Sequence, residues 1–271
     1  LRAFLFPVNT GLPPQLSANF RHLYGDIGWW GILNGSALAF ITIYAARLGA
    51  NTNQIGLINA MPAVISLTLS LPAGGWLEKR RIDKTAFWVA LSQRIFYLLI
   101  AGLPWFFGQQ MQIWMLILIT LLMSIPGTVI AIGFNMLFGA AVPARYRGMV
   151  AGRRNALFAV VTVITSLVCG QILTRMPFPA GYQVIFVIGF LGALMSTFHL
   201  GAVRSIVDEN ETQAAPPAST SPKEKAKPRK PVLVFSNLRR QLHTEALQGP
   251  FGRALLLLSI FHFVHYLSIP I

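Results

Sequence analysis

The chain has 271 residues, 54% of them hydrophobic and 11% charged, with a formal net charge of +14. A soluble domain carries about 25% charged residues, so this composition excludes an ordinary soluble fold. The positive charge invites a nucleic-acid reading, but its placement argues against one. Of the 22 Lys and Arg, only Arg47 and Arg175 fall on one set of loops and Arg94 falls inside an apolar run. The other 19 lie on the opposite set, which is the positive-inside pattern of a membrane protein.

Uncharged runs recur at 27–46, 55–77, 111–142, 155–174, 179–203 and 254–271, and 85–108 is broken only by Arg94. A spanning helix needs about 20 mostly apolar residues. Barrel strands of about 10 residues with alternating polarity do not fit runs so long and so continuously apolar. The fold class is therefore all-α: a polytopic helical membrane protein, a six-helix bundle plus a seventh span. Four segments follow: a cytoplasmic lead-in at 1–26, a bundle at 27–203, a cytoplasmic linker at 204–253 and the seventh span at 254–271.

The lead-in holds Pro7, Pro13 and Pro14 and has no signal-peptide pattern. A short interfacial helix is expected there. Span 1 follows at 27–47, with Trp29 and Trp30 at the headgroup level and small residues Gly31, Gly35 and Ser36 that permit close helix approach. Asn34 is open between packing and a substrate contact. Span 2, at 54–77, carries Asn59, Ser66 and Ser70, and Pro62 and Pro72 can bend it. A dense loop follows with Glu78, Lys79, Arg80, Arg81, Asp83 and Lys84. Spans 3 to 6 are placed at 85–107, 113–139, 153–174 and 181–203. Between spans 4 and 5 lie Arg145, Arg147, Gly148, Arg153 and Arg154.

Residues 208–231 are rich in Pro, Ala, Ser, Lys and Glu, a composition that cannot bury enough apolar surface to fold. At 234–247 apolar residues recur at near-helical spacing, open between an amphipathic helix on the membrane face and a solvated linker helix. The single cysteine, Cys169, lies in an apolar run and reads as packing.

Six spans, a long basic linker and a restart resemble the first half of a major facilitator superfamily transporter. The loop after span 2 is similar to the signature loop of that superfamily. Gly74 matches its first glycine, Glu78 stands where Asp is usual, Lys79 matches a basic position and Arg81 replaces the second glycine. Pro143, Arg147 and Gly148 between spans 4 and 5 are also similar to what many members carry. The resemblance implies twelve spans in two bundles with substrate near the midplane between them. On that reading this is a partial chain, completed by a C-terminal bundle, and a half-size protein working as a dimer is the alternative. Gly74 and Gly75 would let helices approach closely. Glu78 would act as a conformational latch, accepting from a helix N-terminus of the other half and pairing with Arg145 or Arg147. A plain topology signal is the simpler reading for Lys79, Arg80 and Arg81.

An ionisable residue inside a span is a functional candidate because its burial in lipid is expensive. Arg94 is such a residue, open between an anionic substrate, snorkelling and a pair with Glu78 or Asp26. Thr120, Ser124 and Thr128 recur at i, i+4, i+8 and share a face of span 4. The resemblance places spans 1 and 4 on the cavity, so Asn34, Ser124 and Thr128 are the first substrate-facing set, with Asn135 nearer the cytoplasm. His262 and His265 are open between proton coupling and neutral packing. With no Asp or Glu in the spans beyond the boundary residues, an acidic proton carrier is expected from the second bundle.

No catalytic cluster, metal-ligand set or phosphate-binding loop emerges, so no enzyme activity and no cofactor is expected beyond a coupling ion, proton or sodium. Motifs typical of drug–proton antiporters and sugar porters are absent. The expected activity is secondary transport of a small solute by alternating access, in the plasma (inner) membrane, with the N-terminus and 204–253 cytoplasmic. The alternatives are a non-transporting sensor or scaffold with this fold, or a membrane-embedded enzyme. The expected partners are a small-molecule substrate and the lipid bilayer, and no nucleic acid.

Overall fold

A computed structural model describes residues 13–78, 80, 82–206 and 257. The chain divides into two units, Leu1–Ala215 and Pro216–Ile271, and the helices below all lie in the first. The seventh span, the 234–247 segment, Lys79, Arg81, His262 and His265 fall outside the described residues.

Six helices long and apolar enough to cross a membrane follow one another. They are α1 (Pro14–Arg47), α2 (Thr52–Leu77), α3 (Ile82–Phe106), α4 (Gln109–Ala141), α5 (Ala144–Arg175) and α6 (Ala180–Gly201). The connections are a few residues long, so successive helices reverse direction. One end of the bundle carries the turns after Arg47, Phe106 and Arg175, and the other carries the turn at Glu78 and the turn at Val142 and Pro143. Side-chain bonds tie each end. At the Arg47 end Tyr44 donates to Gln112 (2.5 Å), whose amide donates to the Phe107 carbonyl (2.7 Å). At the Glu78 end Asn19 donates to the carbonyls of Ala141 (3.2 Å) and Arg204 (2.7 Å), and accepts from the Arg204 amide (3.0 Å).

Helix α1 starts at Pro14, not near residue 27. Proline suits the first helical turn, where its missing N–H removes a donor that has no intrahelical partner. The 34 residues of α1 span about 51 Å at 1.5 Å each, well beyond the hydrocarbon thickness of about 30 Å. Residues 14–26 of the segment expected as a lead-in are thus the first turns of this helix, with Leu16, Phe20 and Leu23 buried against α4, α5 and α6. Midway, Asn34–Leu38 forms a π-helical turn.

The turn from α1 to α2 follows from local chemistry. Gly49 adopts φ +90°, a region L side chains rarely enter. Its amide bonds to the Ala46 carbonyl (3.1 Å) and that of Ala50 to the Ala45 carbonyl (3.0 Å), a Schellman ending. Asn51 and Gln54 then exchange reciprocal side-chain-to-backbone bonds of 2.9 Å, a capping box that starts α2.

Helix α1 packs on α5 and α6, α2 on α4, and α3 on α4 and α6. Gly35 sets the α1–α5 approach. A Cβ there would stand 2.4 Å from the Thr162 carbonyl oxygen and 2.9 Å from the Thr165 Cβ. The Gly35 carbonyl accepts from Ser166 (3.1 Å) and that of Gly31 from Thr162 (3.4 Å). Two helices stand apart: in α2 and α5 only 6% of the spanning window is buried, against 39–44% in the other four. Much of their apolar surface, including Leu67, Leu71, Val163 and Leu167, faces outward.

Candidate functional site

Three ionisable side chains lie buried inside this bundle. Asp26 of α1 is 6% exposed and Arg154 of α5 is 7% exposed. Arg154 Nη2 donates to Asp26 Oδ2 at 2.8 Å. Ser196 of α6 donates to the other carboxylate oxygen at 2.7 Å. The guanidinium of Arg154 lies 4.3 Å from the ring centroid of Phe134, a cation–π arrangement.

Arg94 of α3 is 1% exposed. Its Nε donates to the Ala193 carbonyl (3.2 Å) and to Thr197 Oγ1 (3.0 Å), and its Nη1 to Gln93 Oε1 (2.5 Å). The hydroxyl proton of Thr197 goes to the Ala193 carbonyl (3.0 Å), which leaves its oxygen to accept from Arg94. The Arg94 guanidinium lies 5.1 Å from the centroid of the Trp30 ring. It forms no ion pair among the described residues, and its hydrogen-bond acceptors are neutral.

These three side chains line a cavity of about 630 Å³. Trp30, Leu38, Ile41, Tyr97, Met123 and Phe134 give it apolar walls. The α4 hydroxyls form a polar side. Thr120 donates to the Ile117 carbonyl (2.9 Å), Ser124 to that of Thr120 (2.6 Å) and Thr128 to that of Ser124 (2.8 Å). With their protons held by the helix backbone, these oxygens face the cavity as acceptors. Ser66 of α2 lies 3.0 Å from Thr128 Oγ1; because the Thr128 proton is engaged, Ser66 is the donor. Pro126, inside α4, lacks the N–H that would bond the Leu122 carbonyl, which loosens the helix beside this row.

The structure brings Arg94, Ser124, Thr128 and Asn135 to one cavity. Asn34 is not among its lining residues: it opens the π-helical turn and is half-buried elsewhere. Asp26 and Arg154 were missed as members of the site. Asp26, expected at the boundary of span 1, lies buried within α1, and Arg154 lies in the third turn of α5 rather than on a loop. Of the readings open for Arg94, a direct pair with Asp26 is not formed; the carboxylate is bonded instead to Arg154 and Ser196.

The signature-loop residues behave differently. A Cβ on Gly74 or Gly75 would meet nothing within 4 Å, so neither mediates a close helix approach among the described residues. The reason is that α2 turns most of its surface outward. Glu78 is exposed at the end of α2, its amide bonded to the Gly74 carbonyl (3.1 Å). Among the described residues no ion pair joins it to Arg145 or Arg147. Arg147 instead donates to the carbonyls of Val142 (3.0 Å) and Gly139 (2.6 Å), satisfying groups that the end of α4 leaves open. Arg145 lies over the Tyr146 ring at 4.4 Å. Among the described residues no group of three His, Cys, Asp or Glu is placed to hold a metal.

A bundle of six spanning helices around a charged cavity calls for comparison with transporter families, and the profile of the Major Facilitator Superfamily matches residues 28–271. The chain belongs to the Major Facilitator Superfamily. It is thus a multi-pass membrane protein of facilitator type, a class of transporters. No curated protein and no solved structure matches this facilitator chain significantly.

Proposed function

We propose that this facilitator protein is a secondary active transporter that moves a small solute by alternating access, with the solute held in the cavity lined by Asp26, Arg94, Ser124, Thr128 and Arg154. The observation that carries this reading is the burial of three ionised side chains around a cavity between spanning helices. Such groups are expensive in a membrane and are kept there for a function. The uncovered faces of α2 and α5 are where a second bundle would pack, enclosing the solute near the midplane. The concentration of Lys and Arg at the Glu78 end orients that end toward the cytoplasm. Glu78 and Arg147 keep a latch role only in a conformation other than this one, and His262 and His265 remain candidates for proton coupling.

Ser124→Trp tests the cavity. The full-length protein is reconstituted in liposomes and a panel of labelled small solutes is screened for exchange. We expect at least one solute to exchange, and Ser124→Trp to reduce that exchange to background while thermal unfolding stays near wild type. Exchange by Ser124→Trp at the wild-type rate would mean that solute does not pass through this cavity. Absence of exchange for the whole panel would favour a sensor or scaffold on the same fold.

A further inference from the structure

We infer that the cavity recognises a small organic monocarboxylate with an apolar body, its carboxylate taken by Arg94. The inference rests on the transporter reading only in taking this cavity as the place where solute binds. Charge decides the class. Among the described residues the charged side chains of the lining are Asp26, Arg94 and Arg154, which together leave one positive charge over. Asp26 carries a single negative charge, and its 2.8 Å contact is with Arg154 and not with Arg94. A buried charge without a counter-charge is strongly unfavourable, and low-dielectric walls amplify its pull on an anion.

Pairing decides the residue: Arg154 is bound to Asp26, whereas the hydrogen-bond acceptors of Arg94 are neutral. Three contacts hold Arg94 through Nε and Nη1, and Nη2 has no hydrogen-bond partner among the described residues. The head group is therefore fixed in orientation with one nitrogen still free to donate, a preorganised half of a guanidinium–carboxylate contact. One carboxylate neutralises the surplus charge, whereas a doubly charged phosphate monoester would overshoot it.

The remaining lining fits the rest of such a solute. The rings of Trp30 and Tyr97, with Ile41 and Met123, suit an apolar body. The α4 hydroxyl oxygens accept rather than donate, so they suit a hydroxyl or N–H on the solute and not a second anionic group. The cavity size lies in the range of small-molecule sites, roughly 300–1,000 Å³.

The test uses the full-length protein in liposomes, with Ser124→Cys as a reporter and Cys169 replaced by alanine. The rate of alkylation of the reporter is measured with lactate, mandelate and octanoate, with the neutral amide of each, and with benzylamine. We expect at least one carboxylate to slow alkylation, and its own amide and benzylamine to leave it unchanged. Arg94→Gln should weaken that protection about tenfold or more, and Arg94→Lys should restore part of it. Equal protection by a carboxylate and its amide, protection by benzylamine alone, or no protection by any carboxylate would overturn the inference while leaving the transporter reading standing. Protection undiminished in Arg94→Gln would overturn the assignment to Arg94. The transporter reading itself fails on a different result, no exchange of any solute in the panel by the wild-type protein.

Discussion

Asp26→Ala will destabilise the bundle by about 3–5 kcal/mol, the range for breaking a buried ion pair by removing one partner. The Arg154 guanidinium would stay 7% exposed against Phe134 with no carboxylate at 2.8 Å. Its Nε already has no partner, so the loss cannot be taken up by that group. Ser196 would also lose its acceptor. The sign is expected to reverse when both charges go. The double variant Asp26→Leu, Arg154→Met should recover most of the stability, because a well-packed apolar pair is often as stable as the ion pair it replaces. Chemical unfolding in detergent micelles measures both. A cost for Asp26→Ala below about 1 kcal/mol, the scale of an exposed pair, would show that the pair is hydrated and not part of a dry interior.

Gly35→Leu should destabilise by about 3 kcal/mol, at the upper end of the overpacking range. The atom in the way is backbone: the Thr162 carbonyl oxygen stands 2.4 Å from where the first side-chain carbon would be. A flexible side chain could swing aside, but a helix carbonyl cannot. Helices α1 and α5 would therefore separate, taking the Ser166 and Thr162 bonds with them and pulling Arg154 from Asp26. Gly170→Ala on α5 is the control. Nothing lies within 4 Å of its added carbon, so the change should instead add about 0.5–1 kcal/mol by reducing backbone freedom in the unfolded chain. Equal thermal shifts in the two variants would remove Gly35 as the determinant of the α1–α5 approach.

The spans and the interest of Arg94 were legible because each depends on local composition: apolar runs of sufficient length, and one guanidinium within one of them. The Ser124 and Thr128 row was legible for a similar reason, since helical periodicity alone puts both residues on one face. Asp26 was not legible. It sits at the edge of an uncharged run and looks like its boundary, and only the start of α1 at Pro14 brings it inside the helix. Its partner Arg154 lies 128 positions away, and no local pattern connects them. Arg154 was hidden further by neighbouring Arg153, which made the pair look like an inside-facing loop. Gly74 and Gly75 misled for the opposite reason: small residues permit a close approach but do not bring a helix to meet them. Asn34, whose type suits a cavity, opens the π-helical turn and is not among the lining residues, which no local pattern announces.

The central claim is that the cavity around Asp26, Arg94 and Arg154 opens to each side of the membrane in turn. The most direct measurement is the alkylation of Thr128→Cys, in the full-length protein lacking other reactive cysteines, by a membrane-impermeant thiol reagent added to one side of oriented vesicles at a time. Labelling from both sides is expected, with the rates shifting in opposite directions when a transported solute is present, as two states sharing one site require. Labelling from one side only, unchanged by solute, would describe a fixed pocket and would contradict alternating access.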